Sequence, residues 1–206
     1  MALVGLGGPK ETALIISECQ NGMTNPAHST NDLLSGQVAK RGTIANIEAL
    51  ASRLRPLGVQ VVHSIVVPFP DWRGWVVNSP LTGSIRKRDL VEGHVSTEIH
   101  PRITVDPRDI VVKRRRGLTS FHGTELEHIL RGMGIRSIIM TGVSLNVAIP
   151  GSVIEAVNRG FSVVIPEDCV SGATDESHDF ALTKMLPVLA TVTTSRRLVE
   201  ELMGRE

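Results

Sequence analysis

TGVSLNVAIPGSVIEAVNRGFSVVIPEDCV, residues 141–170, has the pattern of a strand end, a tight turn, a helix and a second strand, which is the unit of an α/β fold. Gly142 permits the sharp turn that places the start of the helix at the carboxyl edge of a sheet. Open α/β sheets bind their ligands at that edge. A cysteine early in such a helix would have its thiolate stabilised by the helix dipole, but this chain has Ala148 there.

Strand and helix patterns alternate along the whole chain. Strands are predicted at Thr12–Ser17, Val59–Val67, Asp109–Lys113, Arg136–Thr141, Phe161–Pro166 and Thr191–Thr193. Helices are predicted at Arg41–Leu57, from a capping box of Thr124 and Glu127, at Val147–Arg159, near Ser177–Leu186 and from Ser195. This alternation is typical of an α/β fold with three layers, α/β/α, around a mostly parallel sheet of six strands.

The composition predicts one buried core. The chain has 206 residues, of which 41% are hydrophobic, and a formal net charge of +1. A chain of this length can form one core of good size without being divided. We therefore expect a single domain over residues 1–206, in which residues 1–10 form a flexible leader.

The composition also argues against several partners. With four Phe, two Trp, no Tyr and nearly balanced charge, the chain lacks the basic excess and the stacking aromatics of a nucleic-acid binder. Gly, Pro and charged residues interrupt every apolar run well short of a membrane span. Two cysteines are too few for a disulfide framework, so we expect both thiols to be free and the protein to be cytoplasmic.

The segment from Phe69 to Arg108 has no readable periodicity and is rich in Pro, Gly and charged residues. So long a connection within one domain is usually functional, and we expect it to form part of a pocket. Its tryptophans, Trp72 and Trp75, are candidates for the pocket wall, with Trp72 favoured for substrate binding. Covering a sheet edge or a subunit interface is the alternative for both.

The histidines do not form a metal-binding pattern. All seven are scattered, and no two have the i, i+4 spacing of a helical metal site. Gly5, Gly7 and Gly8 precede the first strand, so they do not form a dinucleotide or phosphate loop. We predict no metal and no cofactor. His63 lies in a strand whose valines face the core, which favours a buried, hydrogen-bonded histidine.

Three separated motifs lie at predicted strand ends that meet at one edge of the sheet. They are ALIISECQ at 13–20, DIVVKRRRGLTSFHGTEL at 109–126 and IIMTGVSLNVAIPGSVIEAVNRGFSVVIPEDCVSG at 138–172. In order and spacing they resemble the isochorismatase-like (cysteine hydrolase) superfamily, which includes nicotinamidases, amidohydrolases of carbamoyl compounds and isochorismatase. The resemblance covers nearly the whole chain and implies the three-layer fold and a small-molecule substrate.

The resemblance implies a catalytic triad of aspartate, lysine and cysteine, and this chain differs at all three positions. Glu18 takes the place of the aspartate and keeps a carboxylate for general acid/base catalysis. Arg114 is the best match to the lysine, with Lys113 and Arg115 as alternatives because the basic run blurs the register. A guanidinium can bind an anion but cannot transfer a proton at neutral pH. Ala148 takes the place of the nucleophilic cysteine.

The loss of this thiol does not by itself exclude hydrolysis. The resemblance implies another route, because isochorismatases also lack the thiol and cleave a vinyl ether that the carboxylate after the first strand protonates. Such a route needs an acid, a water and groups that bind an oxyanion. We expect backbone N–H groups around Val147 and Ala148 to bind it. The resemblance also implies a cis peptide between Val143 and Ser144 that aims them.

The motifs supply further candidates for substrate binding. Ser144 and Asn146 lie in the turn before the helix, where they either bind a ligand or satisfy their own backbone. Gln20 and Phe121 lie within the first and second motifs, and Lys113 and Val147 flank the triad positions. Cys19 and Cys169 are predicted to be small buried hydrophobic residues and not nucleophiles.

Two hypotheses of function follow. The first is a hydrolase that acts on a small anionic molecule through Glu18, without a covalent thiol intermediate. The second is an inactive family member that binds a small molecule or serves in assembly, because all three triad positions differ. A third, that Ala148 is an engineered replacement, is disfavoured because Glu18 and Arg114 differ as well. Since family members are often dimers or tetramers, the resemblance also implies a homo-oligomer.

Overall fold

A seven-stranded parallel sheet forms the centre of the computed structural model, which describes residues 3–205. The strands are β1 Thr12–Ser17, β2 Gln60–Val66, β3 Ile110–Arg114, β4 Ser137–Val143, β5 Ser162–Pro166, β6 Val170–Ser171 and β7 Thr191–Thr193. Their order is β3-β2-β1-β4-β5-β7, and β6 pairs with the end of β4. The predicted α/β class is confirmed. The sheet has seven strands and not six, because the two residues of β6 are too few to leave a periodic pattern in the sequence.

Eight α-helices accompany the sheet in residues 3–205. They are α1 Asn21–Thr24, α2 Asp32–Arg41, α3 Thr43–Leu54, α4 Pro80–Arg86, α5 Leu126–Gly132, α6 Ala148–Asn158, α7 Asp175–Phe180 and α8 Ser195–Met203. A π-helical segment, Ala181–Met185, continues α7. None of the helices between Leu3 and Arg205 is long and apolar enough to cross a membrane.

Two hydrophobic clusters lie on the two faces of the sheet. Leu14 and Ile16 of β1 belong to one cluster, whereas Ala13 and Ile15 belong to the other. This division follows from the pleat, because successive side chains of a strand point to opposite faces. Buried residues of α3 and α8 complete the first cluster, and those of α5 and α6 complete the second. The sheet is therefore the middle one of three layers.

The helix predicted at Arg41–Leu57 is two helices. α2 ends at Arg41, Gly42 follows in the left-handed conformation with a φ of 65°, and α3 begins at Thr43. Glycine adopts this conformation without a steric penalty, which is why helices so often end at it. The apolar stripe predicted α3 correctly but gave no sign of the break.

The capping box predicted at Thr124 and Glu127 is wrong. α5 begins at Leu126 without a side-chain cap from its N-cap residue. The Glu127 carboxylate instead accepts a hydrogen bond from Arg159 Nε at 2.9 Å. Thr124 Oγ1 accepts from the Leu126 N–H at 3.3 Å, so the threonine half of the predicted box does contact the start of the helix. Arg159, the residue after α6, is too distant in the sequence for local spacing to show it as the partner of Glu127.

The predicted flexible leader packs against the domain where it is described. Met1 and Ala2, its first residues, lie outside the described residues. Leu3 and Leu6 are buried in the first hydrophobic cluster, and the Gly7 N–H donates to Ser137 Oγ at 3.0 Å. Two apolar anchors and a hydrogen bond to β4 thus hold this segment against the sheet.

Candidate active site

A cavity of about 70 Å³ lies at the carboxyl ends of β1, β3 and β4. In the strand order, β2 and β3 lie on one side of β1, and β4 begins the other side. The chain reverses its winding direction between β1 and β4, and open α/β sheets bind ligands outside the strand ends at such a point. Of the predicted site residues, five line this cavity: Glu18, Arg114, Ser144, Val147 and Ala148.

Glu18 and Arg114 form a buried ion pair beside the cavity. Arg114 Nη2 donates to Glu18 Oε1 at 2.5 Å, and the two side chains are 2% and 10% exposed, respectively. The pair joins the ends of β1 and β3 across β2, because Arg114 is the last residue of β3 and Glu18 follows β1. Breaking such a pair at one end leaves an uncompensated buried charge, so its two members depend on each other.

The backbone holds Glu18 in an unusual conformation. Its φ is +55°, in the left-handed region that non-glycine residues seldom adopt. The Glu18 N–H donates to Ser64 O at 2.8 Å, and its carbonyl accepts from Gln20 N at 2.8 Å. Left-handed non-glycine residues cost about 1 kcal/mol or more and are common at active sites, where they aim a side chain. Here the turn aims the carboxylate at the cavity.

Arg114 has hydrogen-bonding capacity to spare. Its Nε and Nη1 atoms are buried without a hydrogen-bond partner among the described residues. A buried donor without a partner costs about 1–3 kcal/mol, so such donors are rare away from functional sites. A charge-assisted hydrogen bond to an anion would satisfy such donors, and Arg114 is one of the residues that line the cavity.

The turn between β4 and α6 places Ala148 at the cavity. Gly142 has a φ of 101°, and a Cβ at this position would lie 2.0 Å from Ser17 O, so only glycine fits between β4 and β1. The peptide between Val143 and Ser144 is cis, as the resemblance implied. Val147 is the N-cap of α6, and its N–H donates to Ser144 O at 3.3 Å, so that N–H already has a partner. Ala148 is the first residue of the helix.

Residues of α1, of α2 and, as predicted, of the segment from 69 to 108 cover the cavity. Met23 of α1 and Leu34 of α2 line it together with Leu81 and Ile85 of α4. The half-buried Arg88 lines it as well, just beyond the end of α4. A signal existed in the sequence, since Ser79-Pro80 is a typical helix start.

The register of the basic run follows from strand alternation. Arg114 is buried, whereas Lys113 is exposed and lies 3.4 Å from the Glu92 carboxylate. Arg115 donates to Glu92 at 2.8 Å, and its guanidinium lies 4.5 Å from the centre of the Phe69 ring. Of the three residues proposed for the family's lysine position, Arg114 is the one that lines the cavity. Lys113, also predicted to bind substrate, does not line it.

Gln20 and Asn146 do not line the cavity either, because their side chains form hydrogen bonds with backbone groups. Gln20 Nε2 donates to Val66 O at 3.0 Å, and its Oε1 accepts from Val66 N at 2.7 Å. This double contact joins the chain after β1 to the end of β2. Asn146 Oδ1 accepts from Ala173 N at 2.8 Å. Both side chains thus fix loops around the site.

Trp72 and Phe121 also lie away from the cavity. The Trp72 ring packs edge-on against Trp75, with centroids 5.4 Å apart, and both pack against the first hydrophobic cluster. Phe121 is buried in the second cluster, 6.0 Å from Phe161. Their apolar surface is used in packing, which motif position could not indicate.

Both cysteines are buried and lie outside the cavity lining. Burial raises the pKa of the Cys19 thiol, and the nearby Glu18 charge raises it further. Burial likewise raises the pKa of Cys169, with a contribution from Asp168. Thiols with raised pKa values hold little thiolate at neutral pH, so both are poor nucleophiles in this state.

A second buried charged cluster lies at the opposite end of the sheet. Asp109 precedes β3, and its Oδ2 lies 2.7 Å from Arg55 Nη2 and 3.0 Å from His63 Nε2. Burial lowers the pKa of His63, although its hydrogen bond to Asp109 opposes that shift. The prediction of a buried, hydrogen-bonded histidine is confirmed. Across residues 3–205, no group of three His, Cys, Asp or Glu side chains is arranged to hold a metal ion.

Comparison with known proteins shows related sequences. The profile of the isochorismatase domain matches residues 12–197, which include every strand and the whole cavity lining. Ureidoacrylate amidohydrolase RutB of Agrobacterium fabrum is 28% identical over 179 residues, 78% of this chain and 75% of that protein. Maleamate amidohydrolase of Pseudomonas putida is 23% identical over 201 residues, 96% of this chain and 89% of that protein. The uncharacterized isochorismatase family protein YaaI of Bacillus subtilis is 32% identical over 117 residues, and the match covers only 59% of its length.

Solved structures share the fold. An isochorismatase family protein from Burkholderia thailandensis superposes with a TM-score of 0.79 at 24% identity, covering 98% of this chain and all of that one. A cysteine hydrolase from Pseudomonas syringae superposes with a TM-score of 0.83 at 18% identity, covering 100% of this chain and 99% of that one. The profile match, which spans most of the sequence, shows that the chain belongs to the isochorismatase family.

Proposed function

We propose that this chain is a hydrolase that acts on a small anionic molecule through the Glu18 carboxylate, without a covalent thiol intermediate. The observation that carries the proposal is the buried Glu18–Arg114 pair at 2.5 Å beside a cavity at the switch point of the sheet. A carboxylate at a cavity protected from bulk water can exchange a proton with a substrate or a water molecule bound there. Membership of a hydrolase family supports the reaction class.

Glu18 is the proton carrier in the proposed reaction. Its carboxylate takes a proton from a water molecule as the water oxygen attacks an electrophilic carbon of the substrate. The protonated Glu18 then gives that proton to the leaving group. Water is thereby divided between the two products, and no residue remains modified.

Arg114 stabilises the negative charge that develops on the substrate. Its two buried donors without partners, Nε and Nη1, are available for an oxyanion while Nη2 holds Glu18. A donor placed in advance at a developing charge contributes about 3–4 kcal/mol to transition-state stabilisation. The guanidinium stays charged throughout, so it cannot exchange roles with Glu18.

Ala148 is the reason for proposing a direct attack by water. Its methyl group takes the place of the family's nucleophile, and the thiols of Cys19 and Cys169 are buried with raised pKa values. A small side chain at the start of α6 leaves room for the attacking water or for the substrate itself.

The relatives supply the first substrates to test. Ureidoacrylate and maleamate amidohydrolases hydrolyse C–N bonds in small carboxylates, as their names state. We propose a substrate of this kind, an amide or ureido compound that carries a carboxylate. A two-arginine cavity is well suited to such an anion.

The test uses two variants on a panel of ureidoacrylate, maleamate and isochorismate. Glu18→Gln should lower kcat by at least about a hundredfold, the usual contribution of a general acid/base. The double variant Cys19→Ala, Cys169→Ala should keep kcat within a few-fold of the parent. Loss of activity in a folded cysteine variant, with activity kept in Glu18→Gln, would refute the proposed mechanism.

The alternative is an inactive member of the family that binds a small molecule or serves in assembly. The close ion pair favours it, because Arg114 competes with a water molecule for the Glu18 oxygens. Ligands found by calorimetry would then be recovered unchanged after long incubation. Product that forms with wild-type protein and not with Glu18→Gln would exclude this alternative. The predicted homo-oligomer and cytoplasmic location remain predictions from the sequence and the resemblance.

A further inference from the structure

The cavity carries a positive charge that its own ion pair does not neutralise. Three charged side chains line it: Glu18, Arg114 and Arg88. Glu18 and Arg114 neutralise each other at 2.5 Å. The guanidinium of Arg88 is therefore the excess charge at this site.

The Arg88 side chain makes few polar contacts within the described part of the protein. Among residues 3–205, its side chain makes one hydrogen bond, to the neutral Ser84 hydroxyl at 3.4 Å, which is long for such a contact. Other arginines of the same region do have carboxylate partners, as Arg115 has Glu92 at 2.8 Å. The difference leaves most of the donors of Arg88 free for a ligand.

The surroundings of Arg88 make an anionic partner favourable. Burial lowers the pKa of Arg88, and the negative charge of Glu18 offsets part of this effect. Leu81 and Ile85, which also line the cavity, add apolar surface on the same side. A partly desolvated guanidinium gains more from an anion than an exposed one does, because water screens it less.

We propose that Arg88 is a specificity-determining residue that binds a carboxylate of the substrate. The bond to be cleaved then lies toward Glu18 and Arg114, and the anionic end lies toward α4. A planar guanidinium matches a carboxylate through two parallel hydrogen bonds, which favours small carboxylates over neutral amides of the same shape. The inference rests on the proposed function for the position of the reacting end.

With Arg88 at the anionic end of the substrate, the two arginines have different roles: Arg114 stabilises the oxyanion and Arg88 binds the carboxylate. Arg114 is fixed by Glu18 at the strand ends, where charge develops during the reaction. Arg88 follows α4, within the segment from 69 to 108 that has no counterpart in the catalytic motifs. Substrate choice thus depends on a part of the chain that can vary without changing the reacting groups.

The test is a binding measurement that needs no turnover. Isothermal calorimetry would compare maleate and succinate with their neutral diamides on the wild type, Arg88→Gln, Arg88→Lys and Lys87→Gln. Lys87 is exposed and adjacent, so its variant makes the same change in net charge without touching the cavity. Inorganic phosphate serves as a second anion.

Arg88→Gln should weaken binding of at least one carboxylate by about ten- to a hundredfold, the effect of a lost charge-assisted contact. Arg88→Lys should recover part of it, and Lys87→Gln should change it less than about threefold, as expected of a screened surface charge. The diamides should bind equally weakly to all four proteins. With a substrate that turns over, Arg88→Gln should raise KM far more than it lowers kcat.

The inference is overturned if no carboxylate in the panel loses affinity in Arg88→Gln, if Lys87→Gln has the same effect, or if only phosphate depends on Arg88. Binding that depends on Arg88 in a protein that hydrolyses none of the candidate substrates would refute the proposed hydrolase and leave the carboxylate site in place. The measurements therefore distinguish a failure of the Arg88 inference from a failure of the proposed hydrolase function.

Discussion

Two buried ion pairs, one at each end of the sheet, differ in how completely they are satisfied. At the amino end, the Asp109 carboxylate accepts hydrogen bonds from Arg55 and from the Asp106 N–H and lies 3.0 Å from His63 Nε2. At the carboxyl end, Glu18 has a single side-chain partner in Arg114, which keeps two buried donors without partners among the described residues. In the first cluster the Asp109 carboxylate has several donors and the neutral ring atom His63 Nδ1 is left without a partner, whereas in the second pair two donors of the charged Arg114 are left without partners.

The difference also appears in the surroundings of the two pairs. Burial alone would raise the pKa of Asp109, but the hydrogen bonds from Arg55 and His63 lower it overall. That carboxylate is a stable anion used for structure. Glu18 instead lines a cavity and has a left-handed backbone conformation, which costs free energy. The two unpartnered donors of Arg114 and the left-handed backbone of Glu18 support the catalytic role that we propose for the pair at the cavity.

The largest expected effect is that of Arg114→Lys on catalysis. Lysine keeps the charge near Glu18 but loses the planar set of donors, so the oxyanion loses its stabilisation. We expect kcat to fall by about a hundredfold to a thousandfold, as for other lost oxyanion donors. Steady-state kinetics checks this, with the neighbouring Lys113→Arg as a control that should stay near wild type. Equal activity of Arg114→Lys and wild type would contradict the role given to the spare donors.

Asp109→Asn should have its effect on stability. Removing the anion leaves Arg55 and His63 without their shared partner, and breaking a buried pair at one end costs about 3 kcal/mol or more. Urea unfolding followed by circular dichroism measures the loss. Activity per folded molecule should stay unchanged, because Asp109 lies at the far end of β3 from the cavity.

Ala148→Cys should install a thiol that reacts with iodoacetamide. The side chain at 148 lines the cavity at the first turn of α6, where the helix dipole favours a thiolate. Mass spectrometry should detect one added label on the folded variant. It should detect none on the native protein, whose cysteines are Cys19 and Cys169. Labelling of native protein at the same rate would show that the buried cysteines are accessible.

The smallest expected effect is the pH dependence of stability near the Asp109 cluster. Burial lowers the pKa of His63 below its ordinary value of 6.5, so the folded state binds a proton less readily than the unfolded chain. The contribution of neutral His63 to stability is fully present above about pH 6.5 and is lost as the pH falls below it. His63→Gln should therefore lose less unfolding free energy between pH 7 and pH 5 than wild type. His100 and His178, whose pKa values burial also lowers, should account for the slope that remains.

Much of this fold is visible in the sequence, because apolar strands alternating with amphipathic helices allow few arrangements other than a parallel sheet between helices. The strand ends that bring Glu18, Arg114 and Ala148 together follow from that topology. The roles of other residues depend on partners far away in the sequence. Gln20 binds the backbone of Val66, and Phe121 packs on Phe161, although motif position predicted both as substrate contacts.

The sequence predicted that the segment from 69 to 108 forms part of the pocket, but not which of its residues line the cavity. Arg88 is placed by α4, a helix of seven residues within a segment that has no periodicity over its full length. A short helix of this kind is stabilised by tertiary contacts, here through the buried Ile85, more than by its own propensity. Local patterns therefore predicted the placement of Glu18, Arg114 and Ala148 at the cavity better than the residues that cover it.

The most direct test of the contrast between the two ion pairs is kcat/KM of Glu18→Gln and Asp109→Asn, measured side by side on one hydrolysed substrate and normalised to folded protein. We expect a loss of at least about a hundredfold for Glu18→Gln and a value within a few-fold of wild type for Asp109→Asn. A Glu18→Gln variant as active as wild type, or an equal loss in both, would contradict the assignment of catalysis to the carboxyl end of the sheet.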